Sequence, residues 1–240
     1  MINILIRTHD RPDKLRKCIQ SIKNQTYKDW NIIISADNKH IEKSVVSLGY
    51  EYVRTDNITY KGFKKGMIRP KENTRPRKKR VYWNLYFNTL QDMAKEGYIL
   101  YLDEDMVLTT PNSLQLIADN SSVDELLIFK YCTPKHERNE TRPSLGNWNK
   151  KPHRGTISTG CFSHHTNHKA RWPPQRAGDY FAVSNLYGRL KTTWLNEVIT
   201  SGQDGVNITH TRRKPFKKGG KLRLESKKAR NKLLIKKRRA

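Results

Sequence analysis

The chain reads as an α/β protein with a mostly parallel sheet and helices on both faces. Three observations predict this. Short runs rich in β-branched and aromatic residues recur at 3–7, 31–35, 50–54 and 98–102. Between them lie segments whose apolar positions keep helical spacing. The two kinds alternate, which is the pattern of βαβ units rather than of separate all-α or all-β layers.

Each element has its own warrant. The chain opens into Asn3-Ile4-Leu5-Ile6-Arg7, a buried strand, and not into a signal peptide. Residues 13–23 place Leu15, Cys18, Ile19 and Ile22 on one helical face, with Pro12 just ahead, where proline suits a helix start. A second strand follows at 31–35, a short helix at 41–48 and a third strand at 50–54. A basic, proline-containing loop spans 56–79. A helix is predicted over 81–95, ahead of the strand Tyr98-Ile99-Leu100-Tyr101-Leu102. Beyond it we expect a helix at 111–119, a strand at 125–132, an irregular polar stretch at 133–152, a strand at 155–162, a helix at 178–190 and a short strand at 205–210.

The strand at 98–102 runs into Asp103-Glu104-Asp105. Carboxylates packed this closely raise each other's pKa unless a positive charge sits among them. A divalent cation on a nucleotide diphosphate is a common partner, because hard cations take oxygen ligands and bridge to phosphates. The C-terminal edge of an open α/β sheet is also where ligands usually bind.

Bulk properties narrow the class. The 240 residues suit one sizeable domain, or one domain with an extension. The formal net charge is +26, which points to polyanionic partners. Residues 212–240 hold fifteen Lys/Arg against the single acid Glu225, a net +14. A second basic run, 61–80, holds ten against Glu72. Three widely spaced cysteines read as reduced thiols in a cytoplasmic setting, not as a disulfide framework. No run of 18 apolar residues offers a membrane span.

Several motifs together resemble a known family. Ile4-Leu5-Ile6-Arg7-Thr8-His9-Asp10-Arg11-Pro12 is similar to the first strand and nucleotide loop of family 2 glycosyltransferases with the GT-A fold. Leu15, Cys18, Ile19, Ser21, Ile22, Gln25, Thr26 and Tyr27 follow that family's next-helix pattern. Asp37 falls where the family has an Asp near the nucleotide base, Trp83-Asn84 where it often has Arg-Asn, and 98–105 on its strand plus Asp-x-Asp. The match is good over 2–108. The resemblance implies residues 1–211 as a GT-A domain, with a nucleotide-sugar half (1–108), an acceptor half (109–211) and a basic tail (212–240).

It also implies a site. Thr8 and Arg11 would border the base and ribose, and Asp37 would meet one of them. Asp103 would face ribose or metal, and Asp105 would hold Mn2+ or Mg2+, with His210 as a further metal ligand. The metal would neutralise the diphosphate of a UDP-sugar. Asn84 would contact the donor, and Lys79 and Arg80 ahead of its helix would reinforce the pull of a helix start on phosphate, with a solvated charge run as the alternative. Asp179, at a helix start, would be the base that deprotonates the acceptor in an inverting transfer. A favoured N-cap is the alternative for that residue. Gly178 stands where the family usually has an acid. Cys161, His164, His165 and His168 lack a clean zinc spacing, and acceptor-side polar contacts suit them better. Trp148, Trp172 and Trp194 are candidates to stack on a sugar or base, with core packing the alternative, best suited to Trp194.

Small sugar acceptors do not call for +26. The charge points to a hydroxylated base in viral or phage DNA as acceptor, with salt-sensitive, sequence-independent binding. A cell-envelope or capsular glycan is the rival acceptor, its enzyme docked on anionic lipid through the tail. A non-catalytic nucleic-acid-binding protein on a degenerate transferase fold is the rival of another class.

Overall fold

The computed structural model describes residues 1–9, 11–36, 39–55, 82–135 and 138–203. Ile2, Ile4, Leu5 and Ile6 are all fully buried, so strand β1 (Ile2–Thr8) is covered on both faces, as a central parallel strand must be. Helix α1 (Pro12–Lys23) buries Leu15, Cys18, Ile19 and Ile22, the face its spacing predicts. Strand β2 (Trp30–Ala36), helix α2 (Lys39–Val46) and strand β3 (Glu51–Arg54) follow. A 3-10 turn (Tyr82–Leu85) leads into α3 (Tyr86–Met93), and β4 (Tyr98–Asp103) carries the acids at its end.

The second half holds β5 (Met106–Leu108), α4 (Ser113–Asn120), β6 (Glu125–Lys135), β7 (Arg138–Arg142), β8 (Phe162–His165), α5 (Gly178–Tyr187) and β9 (Lys191–Gly202). All the described strands join one sheet in the order β3-β2-β1-β4-β8-β6-β9-β5, with β7 on β6. From β3 to β4 every pairing is parallel. β8 runs antiparallel to both β4 and β6, β7 to β6 and β5 to β9, while β6 and β9 are parallel. The α/β class is the one the alternation predicts; the first half is uniformly parallel, and the second half is mixed.

Three predicted details differ. The irregular stretch at 133–152 contains the hairpin partner β7, because residues 138–142 all pair in register with β6 despite their polarity. The strand predicted at 155–162 begins only at Phe162, since Gly155 has φ +86° and residues 159–161 form a 3-10 turn. The long strand β9 fills a stretch for which no element is predicted, although Thr192, Thr193, Val198, Ile199 and Thr200 suit a strand. The strand predicted at 205–210 and the basic tail lie outside the described residues.

The core is aromatic behind the sheet centre. Phe87, Tyr101, Phe162 and Trp172 are essentially fully buried and meet in edge, tilted and stacked contacts at 4.7–5.9 Å. Trp172 is therefore a core residue and not a stacking platform. Trp194, for which core packing is the better-suited alternative, is half-buried against the core and pairs with Trp148 edge to face at 5.1 Å. His164 is also interior. Its Nε2 lies 2.8 Å from the Tyr101 hydroxyl, and burial lowers its pKa to about 4, so it is neutral. Cys161 is fully buried, and its thiol donates to the Ser158 carbonyl. Both side chains are enclosed in the interior. Among the described residues no helix is long and apolar enough to cross a membrane.

Candidate active site

Parallel pairing sets Arg7 directly beside Asp103, because the last residues of β1 and β4 are in register. The Arg7 guanidinium grips Asp103 with two N–H groups, from Nε to Oδ1 and from Nη2 to Oδ2 at 3.2 Å. This fork-to-fork geometry suits a planar guanidinium on a carboxylate. Arg7 also donates to Asn84 Oδ1 at 3.1 Å and lies 4.7 Å over the Phe87 ring. Sequence reasoning did not single out Arg7. Aligning the ends of the two predicted strands would have placed it opposite the first acid.

Glu104 is the second residue missed. It turns inward and is buried, whereas Asp103 and Asp105 keep about a fifth of their side chains exposed. Its carboxylate accepts from the Thr8 hydroxyl, the His9 backbone N–H at 2.8 Å and Arg11 Nε at 2.5 Å. Arg11 Nη1 reaches Asp105 Oδ2 at 2.8 Å. Thr8 and Arg11 are thus brought onto the acidic turn itself. Attraction to Glu104 and Asp105 raises the Arg11 pKa against an opposing effect of burial, which is the larger single influence. Gln203, at the end of β9, fastens the same turn: its N–H meets Asp105 O at 2.8 Å and its amide meets Glu104 O at 2.9 Å. Beneath the turn lies Cys18, its pKa pushed up by burial and also by the three acids.

Asn84 links this cluster to the other half. Its Nδ2 donates to the Pro173 carbonyl at 3.2 Å and to the Gln175 carbonyl at 2.7 Å. Helix α5 starts against it: a Cβ on Gly178 would lie 2.3 Å from Asn84 Nδ2. The glycine at that position is therefore a packing requirement in this chain. Asp179 follows at once, accepting the Tyr180 N–H at 2.8 Å. Burial raises its pKa, Asp103 adds to the rise, and Arg7 and Arg142 oppose it. Of the predicted site residues, Thr8, Arg11, Asn84, Asp103, Asp105 and Asp179 fall in or beside this network. Asp37, Arg80 and His210 lie outside the described residues.

The donor set has a definite character for a metal. Among the described residues no three His, Cys, Asp or Glu side chains converge to cage an ion. Two carboxylates on one turn, each about one-fifth exposed, suit Mg2+ or Mn2+, which use one or two carboxylates and complete their shell with substrate phosphates. They do not suit a structural zinc, which wants four protein ligands.

An open sheet, parallel on one side of a central strand that ends in acids and mixed on the other, is the fold of nucleotide-sugar transferases of the GT-A class. Solved structures bear this out. Residues 1–349 of S. aureus TarS in complex with UDP-GlcNAc superpose with a TM-score of 0.56 at 12% identity, over 87% of this chain and 60% of that one. Glucosyl-3-phosphoglycerate synthase from Mycobacterium tuberculosis, solved with Mn2+, UDP and glucosyl-3-phosphoglycerate, gives 0.54 at 11%, over 85% and 72%. The chain belongs to glycosyl transferase family 2, whose model matches residues 3–176. Protein CgeD of Bacillus subtilis (strain 168) is 26% identical over 106 residues, 44% of this chain. The chain spans about a quarter of that curated relative's length and about 60% of TarS 1–349.

Proposed function

We propose that the protein transfers a sugar from a UDP-sugar to a hydroxyl on a polyanionic acceptor, with inversion and with help from Mn2+ or Mg2+. The observation that carries the reading is a single hydrogen-bonded chain, from Asp103 through Arg7 to Asn84, on which Gly178 and hence Asp179 pack. It couples the acids at the end of β4 to a carboxylate across the site. Asp105 and Asp103 would hold the cation, which when bound offsets the charge on the departing diphosphate. Thr8 and Arg11 frame the donor, and Asp37, Arg80 and His210 complete the assignment from sequence, as base, phosphate and metal contacts.

Asp179 takes the proton of the acceptor hydroxyl. The oxygen attacks the sugar's anomeric carbon on the face opposite the UDP leaving group, so the anomeric configuration inverts. A carboxylate whose pKa is raised by burial is the better base near neutral pH. Hydroxylated bases in DNA are the preferred acceptor, supported by the net charge of +26. The M. tuberculosis synthase, bound to glucosyl-3-phosphoglycerate, is a neighbour in fold whose complex carries a phosphate group.

The test is a panel of nucleotide-sugars with Mn2+, with and without 5-hydroxymethylated DNA, scored by UDP release and by mass gain of the DNA. Release with UDP-sugars that vanishes in Asp105→Ala is expected. No release with any donor overturns the catalytic reading. Release without mass gain on DNA, or binding to DNA that ignores salt, overturns the acceptor.

A further inference from the structure

A cavity of about 320 Å³ opens where β7 ends, lined by Glu140, Thr141, Arg142, Ser144, Asn147 and Thr156. Its size is at the lower end for small-molecule sites, enough for one sugar or one base with its attached group. The walls are fixed in advance. Asn147 Nδ2 donates to Ser144 Oγ at 2.9 Å, and its Oδ1 lies 3.1 Å from His153 Nε2. The Thr156 hydroxyl donates to the His153 carbonyl at 2.7 Å and accepts the His153 N–H at 3.1 Å. Side chains held in this way meet a ligand without a large ordering penalty.

Arg142 carries a guanidinium that is not tied in this way. It is half-buried, and within the described residues its guanidinium has neither a hydrogen bond nor a salt bridge. A guanidinium beside three hydroxyls is the donor set that recognises a phosphate. Its charge also reaches Asp179 and the Cys161 thiol, which places the cavity wall within electrostatic range of the candidate base.

We propose that this cavity is the acceptor subsite and takes a hydroxyl-bearing phosphate ester, its phosphate on Arg142 and its hydroxyl towards Asp179. The inference rests on the glycosyl-transfer reading and names the chemistry of its acceptor. A nucleotide within DNA and a free sugar phosphate share that chemistry, so each is tested as a separate probe. The full-length protein, saturated with UDP to cover the donor site and kept at about 0.3 M salt to screen the basic tail, is titrated with 5-hydroxymethyl-dCMP and with glucose 6-phosphate by ligand-observed NMR.

At least one probe should bind. Arg142→Gln should weaken it by about tenfold or more, the loss of a charge-assisted contact, while Asp105→Ala leaves it unchanged. A response to the nucleotide alone assigns the cavity to a nucleic acid acceptor, and a response to the sugar phosphate alone assigns it to a small phosphorylated one. Binding of neither probe, or equal binding by Arg142→Gln and wild type, overturns the inference. UDP-sugar hydrolysis without acceptor is measured on the wild-type protein in parallel. Intact hydrolysis with no probe bound removes the cavity alone, whereas absence of hydrolysis in wild type removes the catalytic reading and the subsite with it.

Discussion

Burial holds the Asp179 pKa above the ordinary value of 3.8, so ionising this side chain in the folded protein works against stability. The sign follows from linkage. A carboxylate whose folded pKa is raised favours the folded state below 3.8, and that advantage is lost as pH rises through its folded pKa. Asp179→Asn should therefore melt higher than wild type at pH 7, with the gap closing as pH falls towards 3.8. In the same variant, transfer should fall by roughly 10²–10⁴-fold, the usual contribution of a positioned base. Melting scans against pH together with initial rates check both; a variant that is less stable at pH 7 assigns Asp179 to capping instead. Arg11 makes a second residue-level prediction. It occupies Asp105 Oδ2 and Glu104 Oε1, so a cation arriving without nucleotide competes with a guanidinium already in place. Arg11→Gln should tighten binding of Mn2+ alone, measured by electron paramagnetic resonance, and an unchanged or weaker affinity shows that Arg11 does not compete. Glu104 explains why the acids were only partly legible in the sequence. The motif signals Asp103 and Asp105, but the middle residue's inward turn depends on Thr8, His9 and Arg11 arriving from β1, which no local pattern reveals.

Helix α5 and the start of α3 touch at a single tight point, Gly178 against the Asn84 amide. That amide is tied to two carbonyls and to Arg7, so it cannot swing aside without breaking the link to Asp103. Gly178→Ala should cost about 1–3 kcal/mol, the range for overpacking a well-filled site, and should reduce activity beyond the loss of folded protein. Chemical denaturation and rates per folded molecule check it; a neutral Ala variant shows that the helix start yields. Arg7→Met should cost roughly 2–4 kcal/mol, because a mostly enclosed Asp103 loses its counter-charge. Arg7→Lys should recover little of this, since the two-pronged contact needs a planar group. At this scale the first half is legible in detail. Its strands are buried on both faces and its α1 face is amphipathic, so the pattern and the structure share one cause. The second half is harder to read. β7 is polar along its length and is a strand only because β6 offers it a partner. β8 is short and ends in two histidines, one of them buried by the aromatic cluster behind β4.

Across the whole molecule the charge is lopsided: +26 in total, of which +14 lies in residues 212–240. That asymmetry is fully legible in the sequence, because charge can be counted without a fold. The family is legible too, since its motifs fall on consecutive elements of the parallel half. The acceptor is not, because net charge names a class of partner and no shape. The charge nevertheless makes a sharp prediction. If the acceptor is duplex DNA, log K should fall linearly with log salt, with a slope near −0.9 for each phosphate neutralised. A variant ending at residue 211 should show a flatter slope, and the difference counts the phosphates met by the tail, with the tail's fifteen Lys/Arg as the upper bound. The same truncation should leave UDP-sugar hydrolysis untouched, because the acids on β4 and Asp179 all lie in the unit formed by residues 1–205. Fluorescence anisotropy over a salt series, paired with UDP release, separates the two. Equal slopes for the full and shortened chains place DNA binding elsewhere, and a truncation that abolishes hydrolysis makes the tail part of the donor site.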